Sequence, residues 1–434
     1  MFQILNLSTK KVSKKKVIRV FEFDEIKQDQ IYDGFKFEEK ELIAIQKYNS
    51  ANKNKYFTLT HKGVKFKNYV GVLQIGKLTI EILPKADKGL TKDSNFETKQ
   101  EWRNFMLQML KKCGFINVTS LTHADLKLRN TSLLDIYIHE YLKESNLILK
   151  RGLRKKYRFI ENNTGTLKGR LLFKQQITHN LIHKEKFYTS HQTYDRDNLF
   201  NQIIYKALSV LSVISKPSFK DQINRLMIDF PELSNIRVSE TLFSNLKYDR
   251  NTQHYKRGVE LAKLILLNFS PDIQTGSNNV IAILFDMNEL WERYIYRLLS
   301  KDQDKGNYTV SAQQSMSFWE NKKIRPDIVY QKEINGENQT FVIDTKWKLI
   351  DSNKPGDNDL KQMYAYNMYW DSVKSILLYP KSDQEETSFG KFHKGRGDDE
   401  NQCKLGFIKV WDSNKEGIVL RDSIYSKIEE MLEI

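Results

Sequence analysis

Two short apolar runs that carry charged residues constrain this chain more than any other feature. The first run is Ile324–Tyr330, with the sequence IRPDIVY, and the second is Phe341–Trp347, with the sequence FVIDTKW. Each run is typical of a β-strand, and the polar residues between them predict a hairpin. A buried charge without a partner is costly in free energy, so Asp327, Asp344 and Lys346 need a functional reason to be there. Binding of a metal ion by the two carboxylates is such a reason.

The spacing of these charges suits phosphodiester chemistry. Neighbouring strands lie about 4.8 Å apart, so Asp327 and Asp344 can converge on one ion. Asp344 and Lys346 are two residues apart and therefore share one face of their strand. Mg²⁺ prefers oxygen ligands and keeps several waters, so two or three carboxylates suffice to hold it against a scissile phosphate. The alternative is structural: Asp327 caps a turn, and Asp344 pairs with Lys346 at a sheet edge.

Two predicted helices supply further candidates. Glu292 lies on the helix predicted over residues 283–300 and could face the metal, or it could be an exposed helix carboxylate. Gln362 and Tyr366 lie four residues apart in a helix predicted over residues 358–370, so they share one face. They could touch DNA or position Lys346, although simple packing of Tyr366 explains the spacing equally well.

Charge and cysteine content narrow the setting. The 434 residues include 70 Lys plus Arg against 54 Asp plus Glu, giving a formal charge of +16 and a pI near 9.4. This balance favours polyanionic partners such as nucleic acid or an anionic membrane, unless it reflects a generally Lys-rich proteome. The two cysteines, Cys113 and Cys403, are isolated, which excludes a disulfide framework and makes the cytoplasm the expected setting. No apolar run of membrane length occurs, so no membrane association is expected.

The chain is predicted to be a multidomain α+β protein. Residues 1–95 contain short β-like runs and indicate a β-rich N-terminal module, while residues 96–270 show helical spacing and indicate a helical middle domain for partner binding. A polar segment over residues 270–279, with one Pro and one Gly, predicts a domain boundary. Residues 280–434 then indicate an α/β domain whose mixed central sheet is flanked by helices. Its predicted strands are residues 307–312, 324–331, 340–347, 373–379 and 405–411, and its last helix covers residues 420–432.

Other segments carry weaker signals. The basic segment Lys150–Arg158, predicted between two helices, could bind phosphate or a partner, although such charge runs are more often solvated surface. Gly71–Leu78 imitates a phosphate-binding loop, but Leu78 stands where Ser or Thr is required and the segment is typical of strands. The chain is therefore expected to need a nucleotide motor in trans. His179 and His183 lack the Glu of a zinc-protease motif and indicate a surface pair.

The C-terminal pattern resembles a known nuclease superfamily. Residues 280–379 are similar to PD-(D/E)xK nucleases, with Asp327, Asp344 and Lys346 matching the signature. Glu292 matches the first-helix acid of that superfamily. Gln362, with Tyr366, resembles the QxxxY helix that some of its branches carry. The resemblance implies a restriction-endonuclease-like fold for residues 280–434.

A second, wider resemblance rests on the segments Gly71–Gly76, Thr79–Lys85, Arg151–Arg154 with Tyr157, Leu167–Arg170 and Asp286–Glu292. With these segments the chain resembles the McrC family, the endonuclease subunits of McrBC-type modification-dependent restriction systems. That resemblance implies a partner, McrB, a GTP-hydrolysing AAA+ ring that recognises methylcytosine in DNA. It also implies that the N-terminal and middle portions dock into the ring and stimulate its GTPase while the C-terminal domain cuts methylated DNA.

These observations lead to a Mg²⁺-dependent DNA endonuclease as the expected activity. Asp327, Asp344 and Glu292 are the expected metal ligands. Lys346 is expected to orient the attacking water or to stabilise the phosphorane, and Gln362 is expected to support it. Two other classes stay open: a non-catalytic DNA-binding adaptor or motor activator, and a stand-alone repair-type nuclease. Cleavage with and without a ring protein separates the three.

Overall fold

The computed structural model describes residues 16–86, 89–116, 132–271, 279–348, 350, 354–381, 387–393, 401–409 and 424–434. By its internal contacts the chain divides into two compact units. The first unit combines residues 1–133 with residues 284–434, and the second is residues 134–283. Most of the polar segment predicted as a domain boundary, residues 272–278, lies outside the described residues. No helix among the described residues is long and apolar enough to cross a membrane.

The N-terminal part of the first unit is rich in strands, as predicted. Tyr69–Ile75 and Leu78–Leu83 form a hairpin of two strands, in which Ile75 pairs with Leu78. Gly76 adopts a φ of 53° at its turn, a conformation that glycine reaches without strain. The segment that imitates a phosphate-binding loop is thus a β-hairpin. The elements are β1 (Lys16–Phe21), β2 (Glu25–Lys27), β3 (Ile31–Tyr32), β4 (Phe35–Lys36), α1 (Glu39–Ala51), β5 (Phe57–Thr60), β6 (Gly63–Phe66), β7 (Tyr69–Ile75), β8 (Leu78–Leu83) and α2 (Phe96–Lys112).

A buried ionic group ties α2 to the strands beneath it. Glu81 on β8 is fully buried. Its Oε2 lies 2.9 Å from Nε of Arg19 on β1 and 3.0 Å from Nε of Arg103 on α2. Burial alone would raise the pKa of Glu81, but the Arg103 and Arg19 guanidinium groups hold it below its ordinary value. Removing one partner would leave a buried charge uncompensated, so this group fixes where α2 packs.

The second unit contains a sheet as well as helices. Helices Leu133–Arg151 and Leu199–Ile214 agree with the helical spacing predicted for residues 96–270, but three strands between them were not predicted. They pair in the order β10-β11-β9. The basic segment predicted as a link between two helices therefore runs into a strand. The elements are α3 (Leu133–Arg151), β9 (Lys156–Thr164), β10 (Arg170–Leu171), α4 (Phe173–Asn180), β11 (Phe187–Asp195), α5 (Leu199–Ile214), α6 (Pro217–Ile228), α7 (Glu240–Ser244), a 3₁₀ turn (Gln253–Tyr255), α8 (Lys256–Leu267), β12 (Phe269–Ser270) and β13 (Val280–Asp286).

The composition of β9 explains why it was missed. Its aromatic residues Tyr157 and Phe159 are 60% and 75% exposed, and polar residues fill most of its other positions. Strands are recognised in sequences by one buried apolar face, and β9 has none. The helical interpretation of the middle domain is therefore incomplete.

The C-terminal part of the first unit is built on a six-stranded mixed sheet, as predicted. The strand order is β14-β17-β18-β19-β21-β20. β14, β17 and β18 are antiparallel neighbours, whereas β18, β19 and β21 are parallel. The elements are α9 (Met287–Lys301), α10 (Gln303–Gly306), β14 (Tyr308–Ala312), β15 (Met316–Trp319), β16 (Lys322–Ile324), β17 (Ile328–Ile334), β18 (Glu337–Thr345), α11 (Asp357–Trp370), β19 (Lys374–Lys381), β20 (Gly390–Lys391), β21 (Gln402–Lys409) and α12 (Ile424–Leu432).

The central hairpin has the turn chemistry that its sequence requires. β17 and β18 are joined through Asn335 and Gly336, with φ angles of 54° and 83°. An Asn-Gly pair with two positive φ angles is the preferred two-residue hairpin turn. The strand predicted over residues 324–331 begins only at Ile328. Pro326 lies just before it and lacks the N–H that a ladder position needs, so the run splits into β16 and β17.

Two helices cover this sheet through apolar stripes. On α9, buried residues follow the helical repeat and include Trp291 and Ile295, both fully buried. On α11, Met363, Tyr366 and Trp370 pack against sheet residues including Val329, Val342 and Leu377. Each large apolar side chain buried in this way contributes about 1.5–3 kcal/mol. The position of α11 is therefore fixed over the strands that carry the charged residues.

Candidate active site

Asp327 and Asp344 lie across from each other where the central hairpin ends. Ile328 on β17 pairs with Ile343 on β18, so the next position along each strand brings Asp327 opposite Asp344. Oδ2 of Asp327 accepts hydrogen bonds from the Thr345 backbone N at 2.7 Å and from its Oγ1 at 2.9 Å. These bonds orient the Asp327 side chain towards the neighbouring strand, so Asp327 does not cap a turn. Within the described residues its Oδ1 accepts no hydrogen bond.

Asp344 is a buried carboxylate in the middle of the sheet. It is 1% exposed, and its strand has β17 on one side and β19 on the other. Its Oδ2 lies 2.7 Å from Nζ of Lys346. The structural alternative predicted that Asp344 pairs with Lys346 at a sheet edge. The pairing is present, but β18 is not an edge strand. Burial and the nearby Asp327 carboxylate raise the pKa of Asp344 to about 7, although Lys346 opposes the rise.

The Lys346 ammonium sits among three side-chain oxygens. Lys346 follows the last residue of β18, and its backbone N donates to the Leu378 carbonyl at 2.9 Å. Its Nζ is 2.7 Å from Asp344, 3.2 Å from Oε1 of Gln362 and 3.5 Å from Oδ1 of Asp359. Burial would lower the pKa of Lys346, but the surrounding carboxylates, Asp344 above all, leave it above its ordinary value. Lys346 is therefore a cation at neutral pH.

Gln362 and Tyr366 connect Lys346 to the loop that carries Asp327. Nε2 of Gln362 donates to Oη of Tyr366 at 2.6 Å, and that hydroxyl donates to the Arg325 carbonyl at 2.8 Å. Since Oε1 of Gln362 accepts from Lys346, one chain of hydrogen bonds joins α11 to both strands of the site. The sequence left open whether Gln362 and Tyr366 touch DNA, position Lys346 or only pack. In the structure Gln362 contacts Lys346, and Tyr366 both packs in the core and donates a hydrogen bond.

Glu292 lies to one side of this group. Its Oε1 accepts a 2.7 Å hydrogen bond from Nε2 of Gln313. Burial and the nearby Asp327 carboxylate raise the pKa of Glu292, which places it within electrostatic reach of Asp327. Among the described residues no three His, Cys, Asp or Glu side chains are close enough to form a metal-binding group. The structure therefore brings together Asp327, Asp344, Lys346 and Gln362, with Glu292 beside them.

Two residues of the site were not predicted from sequence. Asp359 on α11 contacts both Lys346 and Lys348, the latter at 2.6 Å. It precedes Gln362 by three residues and so shares its helix face, a spacing that could have identified it. Thr345, which orients Asp327, carries no comparable signal, because one Thr in a strand is ordinary.

A groove opens next to the charged group. It has a volume of about 770 Å³, and its lining includes Gln362 and Tyr366. Its remaining lining includes three cationic side chains and no Asp or Glu among the described residues. The full lining is Gln313, Ser315, Phe318, Lys323, Ile324, Arg325, Lys361, Gln362, Ala365 and Tyr366. The groove therefore presents positive charge and hydrogen-bond donors beside Lys346.

The chemistry of the acidic residues fits Mg²⁺. In proteins this ion is commonly held by one or two carboxylates, with waters and substrate phosphates completing its coordination. One oxygen of Asp327 accepts no hydrogen bond from the described residues, and the buried Asp344 carboxylate, whose pKa is raised by burial and by Asp327, lies opposite it. Asp327 and Asp344 are thus the residues that could hold the ion, with Glu292 the next nearest acid.

Comparison with known proteins identifies relatives. The family model described as "McrBC 5-methylcytosine restriction system component" matches residues 64–380. The chain is 22% identical over 335 residues to the "Type IV methyl-directed restriction enzyme EcoKMcrBC" of Escherichia coli K12, covering 71% of this chain and 93% of that protein. Identity at this level is spread over nearly the whole length of the relative.

Solved structures show a similar fold. A chain of the half-complex from a tetradecameric assembly of Thermococcus gammatolerans McrB AAA+ hexamers with bound McrC aligns with a TM-score of 0.62 and 20% identity. The alignment covers 96% of this chain and 99% of that one. The family model covers well over half of the present sequence. The chain belongs to the family of McrBC 5-methylcytosine restriction system components.

Proposed function

We propose that this chain is the McrC-type endonuclease subunit of its restriction system and cleaves DNA phosphodiesters by Mg²⁺-assisted hydrolysis. The observation that carries the proposal is the group of Asp327, Asp344 and Lys346 at one end of the central hairpin, with Lys346 Nζ 2.7 Å from Asp344. Residues 280–434 would then form a PD-(D/E)xK nuclease domain. A purely structural ion pair would not need a second, half-buried carboxylate opposite Asp344.

Each residue has a defined part in this proposal. Asp327 and Asp344 would hold the metal ion, and Glu292 would support them from the side. Bound Mg²⁺ would supply Lewis acidity, which lowers the negative charge on the scissile phosphate and favours ionisation of the attacking water. Lys346 stays protonated and either orients that water or stabilises the charge that develops on the phosphorus oxygens. Gln362 positions the Lys346 ammonium.

The relatives suggest how the subunit is used. One structural relative is an assembly of McrB AAA+ hexamers with bound McrC, and the Escherichia coli relative is described as methyl-directed. We infer that this chain docks on an McrB-like AAA+ GTPase ring, stimulates its GTPase and cuts methylated DNA that the ring selects. The parts assigned to docking are the β-rich module, residues 1–95, and the middle domain, residues 96–270.

Replacing Asp344 by Ala tests the proposal. The purified chain is combined with its AAA+ partner, GTP, Mg²⁺ and DNA that carries methylcytosine, and cleavage and GTP hydrolysis are both measured. Asp344→Ala should abolish cleavage and leave GTPase stimulation intact, and chelation of Mg²⁺ should stop cleavage by the parent protein. Asp304→Ala, at an exposed acid of the same domain, is the matched control and should cut normally.

The outcome also separates the rival functions. Undiminished cleavage by Asp344→Ala would rule out this site. If neither protein cuts while both stimulate the ring, the chain is a non-catalytic activator. Metal-dependent cleavage by the parent chain without any ring protein would identify a stand-alone nuclease.

A further inference from the structure

A small hairpin with exposed aromatic side chains borders the groove beside the candidate site. It consists of β15 and β16, joined by a turn at Glu320 and Asn321, and we call it the aromatic hairpin (residues 316–324). Every residue in it except Ile324 is exposed. Trp319, at its tip, is 61% exposed and Phe318 is 50% exposed. Two large aromatic rings next to each other in water indicate a surface that a partner covers.

Trp319 differs from every other tryptophan that the structure describes. Trp102, Trp291, Trp347 and Trp370 are all at most 7% exposed. An indole ring loses considerable favourable burial energy when it stays in water. Its exposure at the tip of a hairpin therefore needs an explanation outside the stability of this chain.

The aromatic hairpin packs against α11. The Phe318 ring lies 5.7 Å from the ring of Tyr369 on α11, the same helix that carries Gln362. A register shift occurs between Ser317 and Trp319 in the pairing of the two strands, and such bulges re-aim side chains. The hairpin thus presents Trp319 at a position that is fixed relative to α11 and to the site.

Four cationic side chains lie on the aromatic hairpin or near it. Lys322 and Lys323 lie on β16 and Arg325 follows it, while Lys323, Arg325 and Lys361 line the groove. None of the four forms an ion pair with a residue that the structure describes, although the positive charge of Arg325 opposes the rise in the pKa of Asp327 and of Glu292. Glu320 in the turn is the one acid of the hairpin. Unpaired cations with interleaved aromatics are typical of surfaces that bind nucleic acid.

We propose that the aromatic hairpin is a DNA-binding element that holds duplex DNA across the groove, so that the scissile phosphate reaches Lys346. Lys323, Arg325 and Lys361 contact backbone phosphates, and Trp319 lies against a base or sugar in the adjoining DNA groove. This inference rests on the proposed nuclease function and adds the surface that seats the substrate. A protein partner would cover aromatic rings too, but it would not call for three cations, none of them in an ion pair among the described residues, along a groove next to Lys346.

The two kinds of contact predict different effects on DNA affinity. A phosphate contact contributes a salt-dependent term, and each one lost reduces the slope of log affinity against log salt by about 0.9. Removing an apolar contact between an indole ring and a base edge or sugar lowers affinity roughly ten- to a hundredfold, and the loss depends little on salt. Lysine and tryptophan variants should therefore be distinguishable by a salt titration.

The test measures binding of the full-length chain to a fluorescein-labelled DNA duplex by anisotropy, at several salt concentrations. Every protein carries Asp344→Asn so that the DNA stays intact. Trp319→Ala should weaken binding about tenfold with an unchanged salt slope, and Lys323→Ala should lower the slope by about 0.9. Leu59→Ala and Lys65→Ala are the matched controls, because both side chains are exposed on strands of the N-terminal module, and they should bind like the parent.

Two results would overturn the proposal. One is unchanged DNA affinity and salt slope in both hairpin variants. The other is normal DNA binding combined with weaker association of Trp319→Ala with the AAA+ ring, which would make the hairpin a protein interface. Trp319→Phe, with folding verified by circular dichroism, should restore most of the affinity. The binding assay does not depend on cleavage. A negative result for the hairpin can therefore be distinguished from a negative result for the nuclease function, which the Asp344→Ala cleavage assay tests.

Discussion

The indole N–H of Trp347 donates a 2.6 Å hydrogen bond to Oε1 of Glu22. Trp347 directly follows Lys346, whereas Glu22 follows the first strand of the N-terminal module, so the bond joins residues 325 positions apart. The same Oε1 accepts the backbone N–H of Lys85 at 2.7 Å. Oε2 of Glu22 has no hydrogen-bond partner among the described residues. The N-terminal module therefore holds the end of the strand that carries the candidate catalytic residues.

Burial raises the pKa of Glu22 to about 8 from an ordinary value of 4.5, although its two hydrogen bonds oppose the rise. A carboxyl group whose pKa is higher in the folded than in the unfolded protein stabilises the fold fully at pH values below its pKa in the unfolded protein. This stabilisation is lost as the pH rises towards its pKa in the folded protein. One proton corresponds to about 1.4 kcal/mol per pH unit across that window. The Glu22→Gln variant has no titrating group at this position, so it does not lose stability in this way. The free energy of unfolding of the variant minus that of the parent should therefore rise by up to about 1.4 kcal/mol per pH unit between about pH 5 and pH 8.

Urea unfolding at both ends of the window measures this difference. Glu25→Gln is the control, because interactions led by the Thr60 hydroxyl lower the pKa of Glu25, and its difference from the parent should stay flat above about pH 5. A Glu22→Gln difference that is equally flat would mean that Glu22 is ionised in the folded protein.

Lys346 and Lys348 form a matched pair, since both contact Asp359 but only Lys346 contacts Asp344. Lys346→Met should lower the DNA cleavage rate by about a hundred- to a thousandfold, because it removes a cation at the reacting phosphate. Lys348→Met should leave the rate nearly unchanged. Single-turnover cleavage with saturating partner and Mg²⁺ measures both, and equal losses in the two variants would show that Lys346 acts only through Asp359.

Tyr366→Phe should reduce both cleavage and stability. The change removes the hydroxyl that accepts from Gln362 and donates to the Arg325 carbonyl, which costs about 1 kcal/mol and loosens the Lys346 ammonium. Misplacement of that cation should slow cleavage roughly tenfold or more. Tyr364→Phe is the control, because its ring packs on Phe392 and its hydroxyl forms no hydrogen bond within the described residues.

If Tyr366→Phe lost stability and kept its full cleavage rate, the hydrogen-bond chain would be structural only. Thermal unfolding and single-turnover cleavage, measured on the same two variants, distinguish these cases.

Gly169→Ala should destabilise the middle unit. Gly169 has a φ of 72°, and a Cβ there would lie 2.5 Å from the Ser190 carbonyl oxygen on β11. A left-handed conformation alone costs a residue with a side chain about 1–2 kcal/mol, and the steric clash adds to it. Gly165→Ala, where a Cβ would meet nothing within 4 Å, should be nearly neutral. Chemical unfolding of the two full-length variants is the measurement, and similar midpoints would contradict the expectation.

Much of the central hairpin could be predicted from its sequence. The apolar runs, the Asn335-Gly336 turn and the two-residue spacing of Asp344 and Lys346 are local signals, and each indicates the same arrangement. The three-stranded sheet of the middle unit could not be predicted in this way, because Tyr157 and Phe159 of β9 face solvent. A strand without a buried face leaves no alternating pattern in its sequence.

The sequence by itself determined the two-residue spacing of Asp344 and Lys346, which helix faces carry Glu292 and Gln362, and where the chain turns back. These features follow from backbone repeats over a few residues. Only the tertiary structure decided that Asp359 joins Lys346, that Tyr366 reaches the Arg325 carbonyl and that Glu22 holds Trp347. Such contacts join residues far apart in the chain, and the packing of α11 and of the N-terminal strands against the sheet sets them. No local pattern encodes that packing.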